Sequence, residues 1–133
     1  IKLTPLLARI WRTQRLLALE LDAVTDWLSP ELSSLQCHNA ESKKQVTYLN
    51  NVFTMFFIER IQPVAGALNN YQYKLLPLLQ TLHDYPEIDE QLKAKLTNHE
   101  REFTLYKASM SRHIKLWQQL LKGCNLSPTS TVN

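Results

Sequence analysis

The sequence predicts an all-α protein, and three observations support that fold class. Apolar residues recur at spacings of three and four over long stretches, which is the period of one helix face. Only two glycines occur in 133 residues, so tight turns should be few. A hydrophobic content of 44% is enough to form a core. At this length we expect one domain, residues 1–124, followed by a disordered tail, residues 125–133.

The stretch from residue 43 to residue 83 organises the predicted fold. Its apolar seam keeps a helical phase through Pro63 and Pro77, although a proline inside a helix removes one hydrogen bond and costs about 3 kcal/mol. Two interpretations remain open. The stretch is either one long kinked helix or two shorter helices separated by a turn near Pro63–Gly66. The seam residues are Val46, Leu49, Phe53, Phe57, Ile61, Val64, Leu68, Tyr71, Leu75, Leu78 and Leu82.

Capping residues predict the other helix boundaries. Thr4 can cap a first helix that bends at Pro30, and Asn39 can cap the central helix. We expect the last helix to begin near Pro86 and to end with Gly123 as its C-cap. Three long segments with short loops therefore predict an elongated antiparallel up-down-up bundle of three long, kinked helices. The alternative is a four-helix up-down bundle.

The bundle topology predicts which distant residues meet. In an up-down-up bundle the ends of the first and third helices share one pole, so Cys37 and Cys124 should lie close together there. In an oxidising compartment they could form a disulfide, whereas a four-helix bundle would place them at opposite poles. The cysteine spacing also predicts a polar core layer of Gln14 and His99, because a buried polar group needs a partner. Either the Tyr71 hydroxyl or the Glu59 carbonyl, which Pro63 leaves without its helical donor, could join this layer.

No residue pattern indicates catalysis, a cofactor or a metal site. His99 and His113 lie on the buried seam of the last helix, about 21 Å apart, so they cannot share one metal ion. We interpret both as hydrogen-bonded core histidines. Paired metal-ligand spacings and glycine-rich phosphate loops are missing from the sequence. We therefore predict that the protein is not an enzyme and has no cofactor.

Basic residues are concentrated near the two ends of the chain. Such asymmetry can indicate an anionic partner, but a net charge of +3 is a weak signal for nucleic acid. The candidate anion-contact surface consists of Arg9, Arg12, Arg15, Arg112, Lys115 and Lys122.

These observations favour a non-catalytic helical-bundle module that binds another protein, as an adaptor, scaffold or regulatory subunit. The alternative is an extracytoplasmic ligand-binding or sensor bundle excised from a membrane protein, which requires an even number of helices. A third hypothesis is a small nucleic-acid-binding module. No apolar run approaches the ~20 residues of a membrane span, so we predict no transmembrane segment in this chain. The sequence does not indicate a compartment.

Overall fold

A computed structural model describes residues 4–126. Four α-helices occur in the order α1 (Thr4–Ser34), α2 (Ala40–Val52), α3 (Gln62–His83) and α4 (Glu90–Gly123), and a π-helical segment (Phe53–Ile61) joins α2 to α3. The residues 40–83 thus form one joined central helix, and residues 4–126 contain no strand. The predicted all-α bundle of three long helices is confirmed, and the four-helix alternative is wrong.

The helix ends follow local capping chemistry, with two corrections. The Asn39 side chain accepts a hydrogen bond from the Ser42 N–H, as the sequence predicts. The last helix begins at Glu90 rather than near Pro86, because Asp89 caps it through the Gln91 N–H. Residues 84–89 form the connecting loop.

The C-terminal end of α4 is a Schellman motif centred on Asn125 rather than on Gly123. Asn125 adopts a left-handed conformation with φ 56°, which asparagine tolerates better than most residues. The Leu126 N–H donates to the Leu121 carbonyl at 2.8 Å, and the Leu126 side chain packs against the core. The first two residues of the predicted tail are therefore ordered, and the rest of that tail, residues 127–133, lies outside the described residues.

The π-helical segment changes which face of the central helix is buried. A π-helix has i→i+5 hydrogen bonds, so each turn holds more residues than an α-helical turn and the face rotates. After this segment, the buried residues of the central helix are Ala65, Leu68 and Gln72. The predicted seam residues Val64 and Tyr71 are instead about half exposed. The predicted phase is thus correct before Pro63; after it, Leu68 is buried as predicted, whereas the predictions at Val64 and Tyr71 are wrong by one residue.

Helices α1 and α4 run parallel and pack along their lengths at one register. Asp22 lies beside Ser109 and Thr25 beside His113, at sequence separations of 87 and 88. The central helix runs antiparallel to α4, since Phe57 contacts His113 whereas Gln72 contacts His99. This arrangement is the predicted up-down-up topology.

A disulfide joins α4 to the loop that follows α1. Cys37 and Cys124 are bonded with a Cα–Cα distance of 5.3 Å and a sequence separation of 87. The larger of the two hydrophobic clusters lies next to this bond and includes Leu32, Phe53 and Trp117. The smaller cluster, farther from the bond, is formed by Ala65, Phe103 and Tyr106.

Replacing Gly66 with alanine tests whether the central helix is continuous. Within the described chain, nothing lies within 4 Å of a Cβ placed on Gly66, so alanine fits. In a helix interior the change should stabilise the protein by up to about 1 kcal/mol, measured by urea denaturation. The neighbouring exposed change Ala67→Gly should destabilise by a similar amount. A destabilising Gly66→Ala would instead indicate a turn at this position.

Removing the disulfide should lower stability without changing the fold. The bond closes a loop of 87 residues, and the chain-entropy relation gives about 4.6 kcal/mol for such a loop. We expect the double variant Cys37→Ser/Cys124→Ser to lose about 2–5 kcal/mol in the free energy of unfolding. Oxidised and reduced wild-type protein, compared by denaturation, provide the matched control. Equal stability of the two redox forms would contradict the pairing.

Candidate functional site

The histidine nearer the disulfide belongs to a complete hydrogen-bond network. The Trp117 Nε1–H donates to His113 Nε2 at 3.1 Å, so the ring proton is on Nδ1. That Nδ1–H donates to the Thr25 hydroxyl at 3.0 Å, and the hydroxyl donates to the Leu21 carbonyl at 2.6 Å. Every polar group in this chain of bonds has a partner, which is the arrangement of a structural core histidine.

The second buried histidine, His99, has a hydrogen-bond partner for only one of its two ring nitrogens. His99 Nε2 donates to the Gln72 side-chain oxygen at 3.1 Å, and the ring stacks on Trp11 with centroids 3.9 Å apart. Within residues 4–126, His99 Nδ1 and Gln72 Nε2 have no hydrogen-bond partner. The two residues line a cavity of about 50 Å³, which exceeds the ~30 Å³ that one water occupies in the liquid.

The residues that form the polar layer differ from those that the sequence predicts. Gln14 is buried as predicted, but its amide atoms make no hydrogen bond to His99 or to any other described residue. The constant α1–α4 register places Trp11 beside His99 and places Gln14 one turn farther along. Tyr71 is about half exposed, and Gln72 occupies its predicted position because the π-helical segment rotates the buried face by one residue.

Burial keeps both core histidines neutral. It lowers the pKa of His99 from 6.5 to about 4, and the nearby Glu102 carboxylate offsets this only in part. Burial also lowers the pKa of His113. The Trp11 ring stacked on His99 and the Gln72 amide carry no net charge, so neither supplies a counter-ion for an imidazolium.

Stability should therefore fall as the pH drops through the range from 6.5 to about 4. In this range the unfolded chain binds a proton at His99 and the folded chain does not, so stability is complete above pH 6.5 and stops falling below about 4. We expect a loss of about 3 kcal/mol from this residue, measured by urea denaturation across the range. His99→Gln should flatten the dependence. An unaltered slope in His99→Gln would contradict this origin.

An open groove lies between the central helix and α4, and we call it the α3–α4 groove. Its volume is about 810 Å³, within the range of small-molecule sites. Two buried polar atoms belong to its walls, the Tyr106 hydroxyl from α4 and the Asn69 carboxamide oxygen from α3. In the described part of the chain, neither atom has a hydrogen-bond partner. The lining residues are Ile58, Gln62, Pro63, Ala65, Gly66, Asn69, Tyr106, Lys107, Met110, Ser111, Ile114, Lys115 and Gln118.

The candidate basic residues do not form one surface. Arg9, Arg12 and Arg15 are exposed on the first half of α1. Lys115 and Lys122 are exposed on α4 and, by the α1–α4 register, lie level with the end of α1. The two groups are thus separated by roughly 20 Å or more along the bundle axis.

Arg112, the sixth candidate, is engaged within the bundle. Its guanidinium lies 2.6 Å from the Asp26 carboxylate and 3.6 Å from the Asp22 carboxylate, and it also donates to the Asp22 carbonyl. Two carboxylates offset this charge, and the half-exposed Arg112 links α4 to α1; its role as an anion contact stays a prediction.

A second groove, on the outer side of the α1–α4 pair, exposes large apolar side chains. Leu19 from α1 and Leu105 from α4 line this groove of about 350 Å³ and are 62% and 58% exposed. Leu16, Ala23 and Trp27 continue the apolar stripe along the exposed face of α1, and Trp27 is 71% exposed. We call these five residues the outer α1–α4 surface.

Sequence reasoning missed the polar atoms of the α3–α4 groove. Asn69 and Gln72 each follow a predicted seam residue, Leu68 and Tyr71, so the apolar periodicity does not mark them as inward-facing. Tyr106 was placed correctly on the buried seam, but periodicity does not show whether a hydroxyl has a partner.

Residues 4–126 contain no cluster of three His, Cys, Asp or Glu side chains that could hold a metal ion. None of the described helices is both long enough and apolar enough to span a membrane.

Comparison with known proteins identifies a family and nothing more. No curated protein and no solved structure matches the chain. A family described as "protein of unknown function (DUF3080)" matches residues 1–128, nearly the whole chain, and the protein belongs to that family.

Proposed function

We propose that the protein is a non-catalytic helical bundle that acts by binding another protein through the outer α1–α4 surface. The observation that carries the proposal is the pair Leu19 and Leu105, which stand more than half exposed on the two walls of one groove. An exposed apolar cluster with a polar rim is a common mark of an interaction site. Trp27, on the same face of α1, is the residue type most enriched among binding hot spots.

The shape and charge of this surface favour an amphipathic helix as the partner segment. A groove between two packed helices accepts the side-chain ridge of a third helix. Its apolar floor includes Ala18 and Ala108, whose small side chains allow close approach. Arg15 and Glu102 on the rim offer one charge of each sign, which can pair with the polar flanks of a bound helix.

The other hypotheses receive less support from the structure. The sensor-bundle hypothesis requires an even number of helices, and the described chain forms three. The nucleic-acid hypothesis requires a continuous basic surface, but the arginines of α1 lie far from Lys115 and Lys122. The disulfide supports a location in an oxidising compartment, where such bonds persist.

A pull-down from native extract with matched variants tests the proposal. The wild-type protein should retain a specific partner, and the double variant Leu19→Glu/Leu105→Glu should lose it by at least about tenfold, since a buried unpaired carboxylate is unfavourable. Leu78→Glu is the control, because Leu78 is a similarly exposed leucine at 67% but lies on α3.

Circular dichroism must show equal helix content in all three proteins before the comparison is made. A partner retained equally by all of them would contradict the assigned surface. Recovery of no protein above the empty resin would count against the protein-binding function itself.

A further inference from the structure

Tyr106, which lines the α3–α4 groove, is a buried tyrosine whose hydroxyl has no partner within the described residues. The residue is only 1% exposed, and its hydroxyl is inaccessible to solvent. Buried tyrosine hydroxyls usually find a partner. Desolvation raises the pKa of Tyr106 to about 12, so the hydroxyl stays protonated at physiological pH and can donate a hydrogen bond.

The opposite wall supplies a matching acceptor. The side-chain oxygen of Asn69 is also inaccessible and, among residues 4–126, has no partner. A carboxamide oxygen accepts hydrogen bonds, so the two walls together offer a donor and an acceptor. One ligand group that both accepts and donates, such as a hydroxyl or a secondary amide, would satisfy both atoms.

The rest of the groove is apolar with a positive rim. Ile58, Met110 and Ile114 contribute apolar side chains, and the volume of about 810 Å³ suits a small molecule. Lys107 and Lys115 are exposed at its edge, and none of the described lining residues is acidic. These cations favour an anionic group on the ligand over a cationic one.

Packing within the described residues does not explain the glycine at position 66, beside the groove. Gly66 lies in the interior of α3, where glycine weakens a helix relative to alanine, yet nothing in the described chain lies within 4 Å of a Cβ at this position. An interior glycine usually has a packing or functional reason. The adjoining π-helical segment, a geometry frequent at functional sites, ends just before Pro63 at the same groove.

We propose that the α3–α4 groove binds a small amphipathic anion, with its apolar body between the helices. A hydroxyl or a secondary amide of the ligand accepts a hydrogen bond from the Tyr106 hydroxyl and donates one to the Asn69 oxygen, and the charged group of the ligand lies near Lys107 and Lys115. This site lies on a different face from the outer α1–α4 surface and does not depend on the protein-binding function.

The test uses the fluorescent probe 8-anilinonaphthalene-1-sulfonate, which has an apolar aromatic body, one N–H and one sulfonate. The wild-type protein should bind it saturably. Gly66→Phe should weaken binding by about tenfold or more by filling the groove, whereas Ala67→Phe, at the neighbouring exposed position outside the groove, should not. Unchanged binding in Gly66→Phe would overturn the proposal.

Tyr106→Phe tests the polar group because it keeps the ring and removes only the hydroxyl. It should weaken probe binding by about three- to tenfold, the effect of one lost hydrogen bond. In displacement titrations of the wild type, 3-hydroxydecanoate should compete better than decanoate, and Tyr106→Phe should remove that difference. Equal competition by both acids in the wild type would refute the hydrogen-bonding role.

Charge selectivity is tested with decylamine, which has the same chain length as decanoate and the opposite charge. Decanoate should displace the probe and decylamine should not, and Lys107→Glu/Lys115→Glu should reverse this preference. Both lysines are exposed, so this variant should keep the fold even if Gly66→Phe does not. Equal displacement by the acid and the amine, or no effect of the double variant, would overturn the anionic assignment.

Discussion

The single register between α1 and α4 is the constraint on which the rest of the structure depends. Three different interactions report the same offset: the disulfide at 87 residues, the Asp22–Ser109 hydrogen bond at 87 and the Thr25–His113 hydrogen bond at 88. Because the two helices are parallel, the central helix must return along the whole length of the pair. It therefore has to remain helical through Pro63, and a turn at that point would break the arrangement.

The π-helical segment lets the central helix remain helical through Pro63. A proline inside an α-helix directs its ring at the carbonyl one turn back, and the wider π turn ends at Ile61, just before Pro63 in the first turn of α3. The rotation that accompanies it has two effects. It brings Gln72 and Asn69 inward, and it leaves Tyr71 and Leu78 facing solvent. One local change in backbone geometry thus shapes both the buried polar layer and the exposed surface of α3.

Much of the fold could be predicted from the sequence because packed helices require a periodic pattern of apolar residues. The helical spacings predicted the all-α class and the three segments, and the topology placed Cys37 beside Cys124, where the structure has a disulfide. The same reasoning located His99 and Gln14 in the core.

The candidate site was less predictable because the features that form it leave no periodic pattern in the sequence. The π-helical hydrogen bonding leaves no distinct sequence signal, so periodicity favoured Tyr71 over Gln72 as the third member of the polar layer. The pairing of Arg112 with Asp22 and Asp26 depends on the angular position of each side chain around its helix, which a residue offset alone does not give. Whether the Tyr106 hydroxyl finds a partner likewise depends on atoms from another helix.

The uneven distribution of the core has a consequence for local unfolding. The larger hydrophobic cluster, the complete His113 network and the disulfide all lie in one half of the bundle, whereas the other half has the smaller cluster and the incompletely bonded His99. Free energies of local opening follow buried contacts and satisfied hydrogen bonds. Fraying should therefore begin at the end where α3 meets α4, and backbone amides near Cys124 should be the last to exchange with solvent.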